Sequence, residues 1–284
     1  MVQVIPEKIA PPREAPRVSR ERLLSTLAES LEGCNSTVVA ARAGAGKTML
    51  AADFARRTRR RVAWYKLDAP DAELPVFLRH LCASVAAARP GFGVQILERL
   101  GGAAGADDVP LAVEYVVHEL SQSAEPLLVV LDDLHLVYDA EWLAPFFRRL
   151  LPLLPPEVHV MLLGRSVPPA PLWRMRSKQT LCVVDEAALA FTQEEARRLY
   201  ASYGLPCSCA DAALRETRGR AAQLDARARR EGAGQEAGRA PASSTTTTTT
   251  TMPITTAAAA RGARQTGRLS LRLIKSPRKS AGAA

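Results

Sequence analysis

The sequence contains no uninterrupted run of about 18 apolar residues, the minimum length of a membrane-spanning helix. Its first residues, MVQVIPEKIAPPREAPR, carry prolines and charges where a signal peptide has an apolar core. We therefore expect neither a membrane partner nor a secretory leader, and these two absences favour a cytoplasmic protein.

Metal-binding spacing is also missing. The five cysteines are scattered and odd in number, and no Cys-x-x-Cys pair or histidine cluster has the spacing of a zinc site. Cys207-Ser208-Cys209 is only a weak metal or redox signal. Aromatic residues are few, at 5%, but a hydrophobic content of 47% is ample for a core.

Most of the chain has no net charge. Residues 1–226 contain 27 basic and 27 acidic residues, whereas residues 227–284 contain eleven basic and two acidic ones. The formal charge of +9 therefore belongs to the tail and says nothing about what the folded part binds. The tail is rich in Ala, Arg and Gly and contains seven consecutive threonines, Thr245–Thr251. Because it lacks apolar periodicity, we expect it to be disordered.

Apolar segments alternate between strand-like and helix-like periods along residues 19–188, which predicts a doubly wound α/β sheet. A capping box, Thr192-Gln-Glu-Glu195, opens a helix of a smaller helical piece. A further helix over residues 211–224 is weakened by Gly219. The predicted organisation is an extended lead-in (1–18), the sheet domain (19–188), the helical piece (189–226) and the tail (227–284). Strands are predicted near 36–40, 61–67, 127–131, 158–163 and 181–184, with helices at about 19–33, 74–88, 111–120 and 141–153.

A glycine-rich loop, AARAGAGKT (residues 40–48), joins the first strand to the next helix. Free N–H groups and the helix dipole at such a junction favour an anion. The loop matches the pattern G-x-x-x-x-G-K-[ST], with Ala41 in place of the first glycine, which is compatible with a negative φ at that position. Lys47 would reach the β- and γ-phosphates, and Thr48 would hold Mg²⁺. The alternative is an ordinary glycine-rich turn.

Two carboxylates, Asp132 and Asp133, end the apolar run LLVVL about 85 residues after the loop. Asp132 would bind the water shell of Mg²⁺ opposite Thr48, and Asp133 could orient or deprotonate an attacking water. The alternative is an acidic turn after a strand. The pairing with the Lys47-Thr48 loop favours a nucleotide site.

Other charged residues near the strand ends are less specific. Arg165, after the fourth strand, could contact a γ-phosphate or be a solvated loop arginine. His135 is interpreted as a structural or loop-anchoring histidine rather than a proton carrier. The arginines at the end of the second helix favour a solvated face over a nucleic-acid patch. They are Arg56, Arg57, Arg59, Arg60 and Arg61.

Four motifs, in this order and spacing, resemble the STAND ATPases of MalT-type (LuxR-family) bacterial transcriptional regulators. They are AARAGAGKT, LLVVLDDLHLV (127–137), HVMLLGRSVPP (159–169) and LAFTQEEARRLY (189–200). The resemblance covers about residues 3–226. It implies a P-loop nucleotide-binding domain with sheet order 5-1-4-3-2, followed by a winged-helix-like domain that begins near Leu189.

The resemblance also implies a set of roles. Lys47 and Thr48 would be the Walker A pair, Asp132 and Asp133 the Walker B pair, and Arg165 the sensor arginine, with Val18–Arg20 near the adenine. The implied cofactors are ATP or ADP with Mg²⁺. Catalysis would involve Asp132, Asp133 and Arg165. The cofactor-binding residues would be Arg20, Ala43, Gly44, Ala45, Gly46, Lys47, Thr48 and Met49, and the Mg²⁺ ligands Thr48 and Asp132.

Three departures from the family accompany the resemblance. Ala41 replaces a glycine, and Arg220 stands in GRAAQL where similar proteins carry an apolar or aromatic residue. The helical-repeat sensor and the helix-turn-helix DNA-binding domain are not in this sequence, and we expect the tail to be a frameshifted or truncated end.

The leading hypothesis is an ATP/ADP-binding switch with slow hydrolysis and nucleotide-dependent self-association, without a DNA-binding domain in this chain. The alternatives are a non-catalytic nucleotide-binding or interaction module and, from the basic tail alone, a nucleic-acid binder.

Overall fold

The structure, a computed structural model, describes residues 3–100, 104–166 and 181–238. Its strands are β1 (Ser36–Ala40), β2 (Arg61–Lys66), β3 (Leu127–Asp132), β4 (Val158–Gly164) and β5 (Leu181–Val184). They form one parallel sheet in the order β2–β3–β4–β1–β5. This is the order 5-1-4-3-2, and the predicted α/β P-loop fold is confirmed.

Helices connect and follow the strands, mostly where the apolar periodicity predicts them. Two short 3₁₀ turns, Pro6–Ile9 and Leu134–Val137, lie before the first helix and after β3. The helices are α1 (Glu21–Gly33), α2 (Lys47–Arg57), α3 (Leu74–Ala88), α4 (Val94–Leu100), α5 (Val109–Ser121), α6 (Leu143–Leu150), α7 (Glu186–Leu189), α8 (Gln193–Ala201), α9 (Cys207–Thr217) and α10 (Ala221–Gly238).

The interior strand β3 is buried on both faces, as its apolar run LLVVL predicts. Leu127, Val129 and Leu131 pack in the cluster that contains α3, α5 and α6. Leu128 and Val130 pack in the cluster that contains α1 and α2. Helices therefore cover both faces of the sheet, and the polar ends of its strands come together at the carboxyl edge.

The segment that follows β5 is helical and has a core of its own. The capping box at its start is confirmed: the Thr192 hydroxyl accepts from the Glu195 N–H at 3.2 Å, and the Glu195 carboxylate accepts from the Thr192 N–H at 3.0 Å. The core of α8, α9 and α10 contains Leu199, Tyr200, Leu205, Ala210, Ala213, Leu224 and Ala228.

The prediction of a single helix over residues 211–224 is wrong. The chain turns through two left-handed residues, Arg218 (φ 51°) and Gly219 (φ 74°), and this turn separates α9 from α10. Gly219 has no space for a side chain, because a Cβ there would lie 2.9 Å from the backbone of Phe191. Close packing against Phe191 thus ends the helix.

The prediction of disorder from Arg227 onward is wrong for residues 227–238, which continue α10. Leu224 and Ala228, one helical turn apart, are fully buried in the core of the helical piece. Arg227 also pairs with Glu231 at 2.7 Å on the same helix. Burial and an i,i+4 ion pair together stabilise this stretch as a helix despite its low sequence complexity. The rest of the predicted disordered tail lies outside the described residues.

The predicted extended lead-in is only partly extended. Lys8, in the 3₁₀ turn, is buried and donates to Asp68 at 2.8 Å and to Asp71 at 2.6 Å. An ammonium group paired with two carboxylates fastens the lead-in beside β2. Among the helices within the described ranges, none is long and apolar enough to cross a membrane.

Candidate functional site

The glycine-rich loop between β1 and α2 curls at the carboxyl end of the sheet. Gly44 and Gly46 have φ of 78° and 85°, a conformation that strains any other residue. Among the described non-glycine residues, only Asp133 and Arg218 have positive φ, so the backbone of Ala41 meets the condition for replacing the first glycine.

Lys47 begins α2 and is almost fully buried, with 8% of its surface exposed. Its Nζ donates to the carbonyl oxygens of Ala41 at 2.6 Å and Arg42 at 3.2 Å. Burial lowers the pKa of Lys47, while the nearby Asp133 and Asp132 carboxylates raise it. An ammonium held only by loop carbonyls is a cation without a full counter-charge, which favours an anionic ligand.

Asp132 ends β3 and faces α2 across the loop. Its Oδ1 accepts from the Thr48 hydroxyl at 3.1 Å and from the Asp133 N–H at 3.0 Å. Its Oδ2 is buried and has no hydrogen-bond partner within the described part of the chain. Burial, reinforced by the neighbouring Asp133 carboxylate, raises the pKa of Asp132 to about 6. A buried oxygen without a partner of this kind is typical of a ligand-binding position.

This arrangement fits a magnesium ion. Mg²⁺ prefers oxygen ligands and binds through one or two carboxylates together with substrate phosphates. The Thr48 hydroxyl and the unpartnered Asp132 oxygen supply such ligands. Among the residues that the structure describes, no group of three His, Cys, Asp or Glu side chains could hold a metal alone.

Asp133 follows β3 in a left-handed conformation, with φ of 57°. Its carboxylate lies 4.0 Å from Lys66 Nζ and 3.9 Å from His135 Nδ1. Neither ring nitrogen of His135 has a hydrogen-bond partner among the described residues, so His135 does not anchor its loop through a hydrogen bond. Burial lowers the pKa of His135.

A cavity of about 460 Å³ brings the residues of three separate motifs together. Lys47, Thr48, Asp133 and the exposed Arg165 all line it. Asp132 lies beside it, in contact with Thr48. The cavity is also lined by the predicted Arg20, Ala43, Gly44, Gly46 and Met49.

Ala45 is placed differently. Its side chain lines a second cavity of about 240 Å³, beside Arg42, Glu186 and Arg220. It is buried in the α1–α2 core cluster, at 6% exposure. Ala45 therefore lines the second cavity and not the larger one.

Arg20 has contacts that the sequence does not reveal. Its guanidinium donates to the Gly46 carbonyl at 3.0 Å and to the Leu189 carbonyl at 2.9 Å, and lies 5.2 Å from the ring centre of Phe191. Burial lowers its pKa to about 10. Arg20 therefore joins the phosphate loop to the helical piece.

Sequence reasoning missed the wall that the helical piece gives to the cavity. No local pattern marks these residues, because they reach the cavity only through the packing of α8 and α10 on the loop. They are Phe191, Leu199, Ala221, Ala222, Asp225 and Arg229.

Four of the five arginines at the end of α2 and just after it are held by contacts within the fold. Arg56 donates to the carbonyls of Pro12 and Glu14, and Arg60 donates to that of Glu157. Arg57 pairs with Glu21 and Asp53, and Arg61 pairs with Glu125.

The sequence is similar to known ATPase domains. The family model described as "AAA ATPase domain" matches residues 17–163, more than half of the chain. The HTH-type transcriptional regulator MalT of Serratia proteamaculans (strain 568) is 31% identical over 198 residues, 69% of this chain. The chain spans about a fifth, 22%, of the length of that relative.

Two solved structures are similar to this chain in fold. One is a signal transduction ATPase with numerous domains (STAND) and a tetratricopeptide repeat sensor from Pyrococcus horikoshii, with a TM-score of 0.47, 16% identity and coverage of 76% of this chain and 30% of that one. The other is the Aeropyrum pernix ORC1 protein in complex with DNA, with a TM-score of 0.47, 20% identity and coverage of 80% and 63%. From the family match, the chain belongs to the AAA ATPase domain family, and over 198 residues it is similar to the transcriptional regulator MalT.

Proposed function

We propose that this chain is an ATP- and ADP-binding switch module with slow, magnesium-dependent hydrolysis. The single observation that carries the proposal is the buried, unpartnered Asp132 oxygen beside the Thr48 hydroxyl, next to a cavity lined by Lys47. A magnesium nucleotide would satisfy both the cation that lacks a full counter-charge and the carboxylate oxygen that has no partner among the described residues.

Each residue has a defined task in this proposal. Lys47 exchanges its bonds to the loop carbonyls for bonds to phosphate oxygens, and the loop N–H groups bind the same phosphates. Thr48 and Asp132 hold Mg²⁺, which would offset the charge on the transferred phosphoryl group. Arg165 contacts the γ-phosphate from the end of β4.

Asp133 orients the water that attacks the γ-phosphorus and accepts its proton. The bond from the γ-phosphorus to the bridging oxygen breaks, and ADP and inorganic phosphate leave. Lys66 Nζ lies 4.0 Å from the Asp133 carboxylate, on the same side of the strand end.

The switch would work because the cavity wall comes from two parts of the fold. We propose a nucleotide-binding domain over residues 19–188 and a winged-helix-like domain that starts near residue 189 and includes α10. A ligand can shift their arrangement only by its difference in affinity for the two states. The γ-phosphate contacts of Lys47 and Arg165 would supply that difference between ATP and ADP.

Isothermal titration with ATP and with ADP tests this proposal. We expect saturable binding by the wild-type chain and at least tenfold weaker binding by Lys47→Ala. Identical titrations of the two proteins would overturn the proposal. A single-turnover assay then tests catalysis: phosphate release that persists unchanged in Asp133→Asn would contradict the role of that residue.

Two finer roles follow from the relationship to MalT. We propose that the ATP-bound form self-associates, and that the module serves a transcriptional regulator. Analytical ultracentrifugation with ATP and with ADP checks the first: equal sedimentation in both would contradict it.

A second candidate is a non-catalytic module that retains its nucleotide as a structural ligand. The contacts of Arg20 and α10 with the phosphate loop favour it, because they hold one side of the cavity in place. Binding without any phosphate release in the single-turnover assay would select this candidate.

A further inference from the structure

A small ion cluster joins three segments beside the phosphate loop. The guanidinium of Arg42 donates to Glu186 Oε1 from Nη2 at 2.7 Å and from Nε at 2.9 Å. Arg220 Nη2 lies 3.7 Å from the same Glu186 oxygen. Arg42 belongs to the phosphate loop, Glu186 begins α7, and Arg220 comes just before α10.

Glu186 binds the backbone of the loop as well as a side chain. Its Oε2 accepts the Arg42 N–H at 3.2 Å. These bonds to Arg42 lower the pKa of Glu186 to about 2. The Arg42 carbonyl in turn accepts from Lys47 Nζ. Arg42 therefore links Glu186 to Lys47, the lysine that would bind phosphate.

The third member ties the cluster to α10, whose first turn lies on the loop. The Ala222 N–H donates to the Gly44 carbonyl at 2.9 Å. A Cβ on Gly44 would lie 3.0 Å from the Ala222 Cβ, so the two backbones are in close contact. Arg220 extends this contact to Glu186.

We propose that Glu186 is a positioning residue of the nucleotide site: through Arg42 it holds the phosphate loop in its binding shape, and through Arg220 it couples that shape to α10. This inference rests on the proposed function, because nucleotide affinity is its first readout. Glu186 and Arg220 lie outside the four motifs, whereas Arg42 lies within the loop motif. All three residues line the second cavity and none of them lines the larger one.

The physical reason is pre-organisation. A loop that is already ordered does not lose backbone freedom when the phosphates bind, and each residue spared that loss improves affinity. An exposed ion pair contributes little to global stability. The effect of Glu186 should therefore be visible in binding and almost invisible in unfolding.

Four proteins test the proposal: wild type, Glu186→Gln, Arg42→Ala and the double variant. We expect the Kd for ATP to rise about five- to tenfold in each single variant and hardly further in the double variant, because both remove the same interaction. Independent, multiplicative effects would overturn the proposal, as would a Kd of Glu186→Gln equal to that of the wild type.

Glu125→Gln is the matched control. Glu125 forms an exposed pair with Arg61, 2.7 Å from its Nε, at the amino end of β2 and so at the opposite edge of the sheet from the phosphate loop. We expect an unchanged Kd for ATP in this variant and melting temperatures within about 2 °C of each other in Glu125→Gln and Glu186→Gln. A Glu186→Gln protein that melts well below the control would show that its role is structural.

Hydrogen exchange of the nucleotide-free protein separates this inference from the proposed function. Glu186→Gln should exchange the amides of residues 42–47 and of Ala222 faster than the wild type, by about fivefold or more. If the wild type bound no nucleotide, the proposed function would fail. Hydrogen exchange would still show whether Glu186 orders the phosphate loop. Unchanged exchange in both segments would overturn the positioning role, and Arg42→Ala provides the same test if Glu186→Gln does not fold.

Discussion

At the scale of single residues, Asp132 lowers the stability of the ligand-free protein and offers an atom that can bind a ligand. Its carboxylate is almost fully buried, at 1% exposure, and one of its oxygens has no partner among the described residues. A buried acceptor that lacks its hydrogen bond costs free energy of folding. The same oxygen is free to bind a ligand, so the cost and the function reside in one atom.

Asp132→Asn should stabilise the ligand-free protein at pH 7–8. Because the pKa of Asp132 is raised from 3.8 to about 6, the folded state binds its proton more tightly than the unfolded state. The stability of the wild type therefore falls as pH rises between these values, by roughly 1–3 kcal/mol. Urea unfolding should show that gain in the variant above pH 6, and titration should show that Mg²⁺ no longer increases nucleotide affinity.

The control for this prediction is Asp211→Asn. Hydrogen bonds from Arg197 and Gln193 lower the pKa of Asp211, so neutralising it should not stabilise the protein. Equal gains in both variants would show that the environment of Asp132 is not the cause.

His159 has the opposite pH dependence. It is buried at the base of β4, where its ring nitrogens contact the Thr37 hydroxyl at 2.9 Å and the Cys34 carbonyl at 3.0 Å. Burial lowers its pKa from 6.5 to about 4. The unfolded state therefore binds the proton more tightly, and this contribution to stability, up to about 3 kcal/mol, is present above pH 6.5 and lost as pH falls toward 4.

His159→Gln should remove that dependence. Since Asp132 and His159 act in opposite directions over the same range, the wild-type curve alone shows only their sum. The difference in unfolding free energy between wild type and His159→Gln, measured by urea unfolding from pH 4.5 to pH 7.5, should grow with pH. A difference that does not vary with pH would contradict the prediction.

At the scale of elements, the phosphate loop depends on two glycines for different reasons. Both have left-handed backbones, but Gly44 is crowded by Ala222 of α10 and Gly46 by Arg20 and Ala221. The loop therefore takes its shape partly from elements that are distant in sequence.

Gly44→Ala should destabilise the protein by about 1–2 kcal/mol, because an L-residue is strained in this conformation. Its methyl group also presses on Ala222, and ATP affinity should fall with it. Gly33→Ala is the matched control: Gly33 ends α1 with nothing within 4 Å of the added methyl group, so we expect no loss of stability. Thermal unfolding and ATP titration of both variants check this, and equal behaviour would refute it.

The position at which helix α10 ends affects the stability of the chain. A chain that ends at residue 226 loses the buried Ala228 and the contacts of Arg227 with Glu216 and Glu231. We expect it to be about 1–3 kcal/mol less stable than a chain that ends at residue 238, and to melt several degrees lower. Equal melting of both truncated chains would contradict the packing role of residues 227–238.

At the scale of the whole molecule, the large cavity connects the sheet with the helical piece. Lys47 and Arg165 line it from the sheet, and Phe191, Leu199 and Asp225 line it from the helical piece. A ligand in this cavity contacts both parts, so unfolding either part requires its release.

ATP with Mg²⁺ at about one hundred times its Kd should therefore stabilise the folded chain by about 2.7 kcal/mol. For a domain of this size that corresponds to a rise in melting temperature of about 5–10 °C. Differential scanning fluorimetry measures it, with Lys47→Ala as the variant that should lose the rise. The same rise in Lys47→Ala would place the ligand elsewhere.

Residue patterns alone were sufficient where the physics is local. A strand of apolar residues, glycines with a lysine and threonine at a helix start, and a Thr192–Glu195 capping box each involve neighbours within a few positions. The sheet order came from the family resemblance rather than from any of these patterns. Arg20 is an intermediate case, since its place near the loop was expected and its bond to the Leu189 carbonyl was not.

The sequence by itself determined the five strands and the helices before residue 207 in outline, where the phosphate loop lies and which carboxylates follow β3, because hydrophobic periodicity and helix-end chemistry act over short distances. Only the tertiary structure decided that one Asp132 oxygen has no partner among the described residues, that Glu186 binds Arg42 and that α10 continues past residue 227. Glu186 and Arg42 are 144 positions apart, and the other two features depend on burial in the packed core, which no local pattern records.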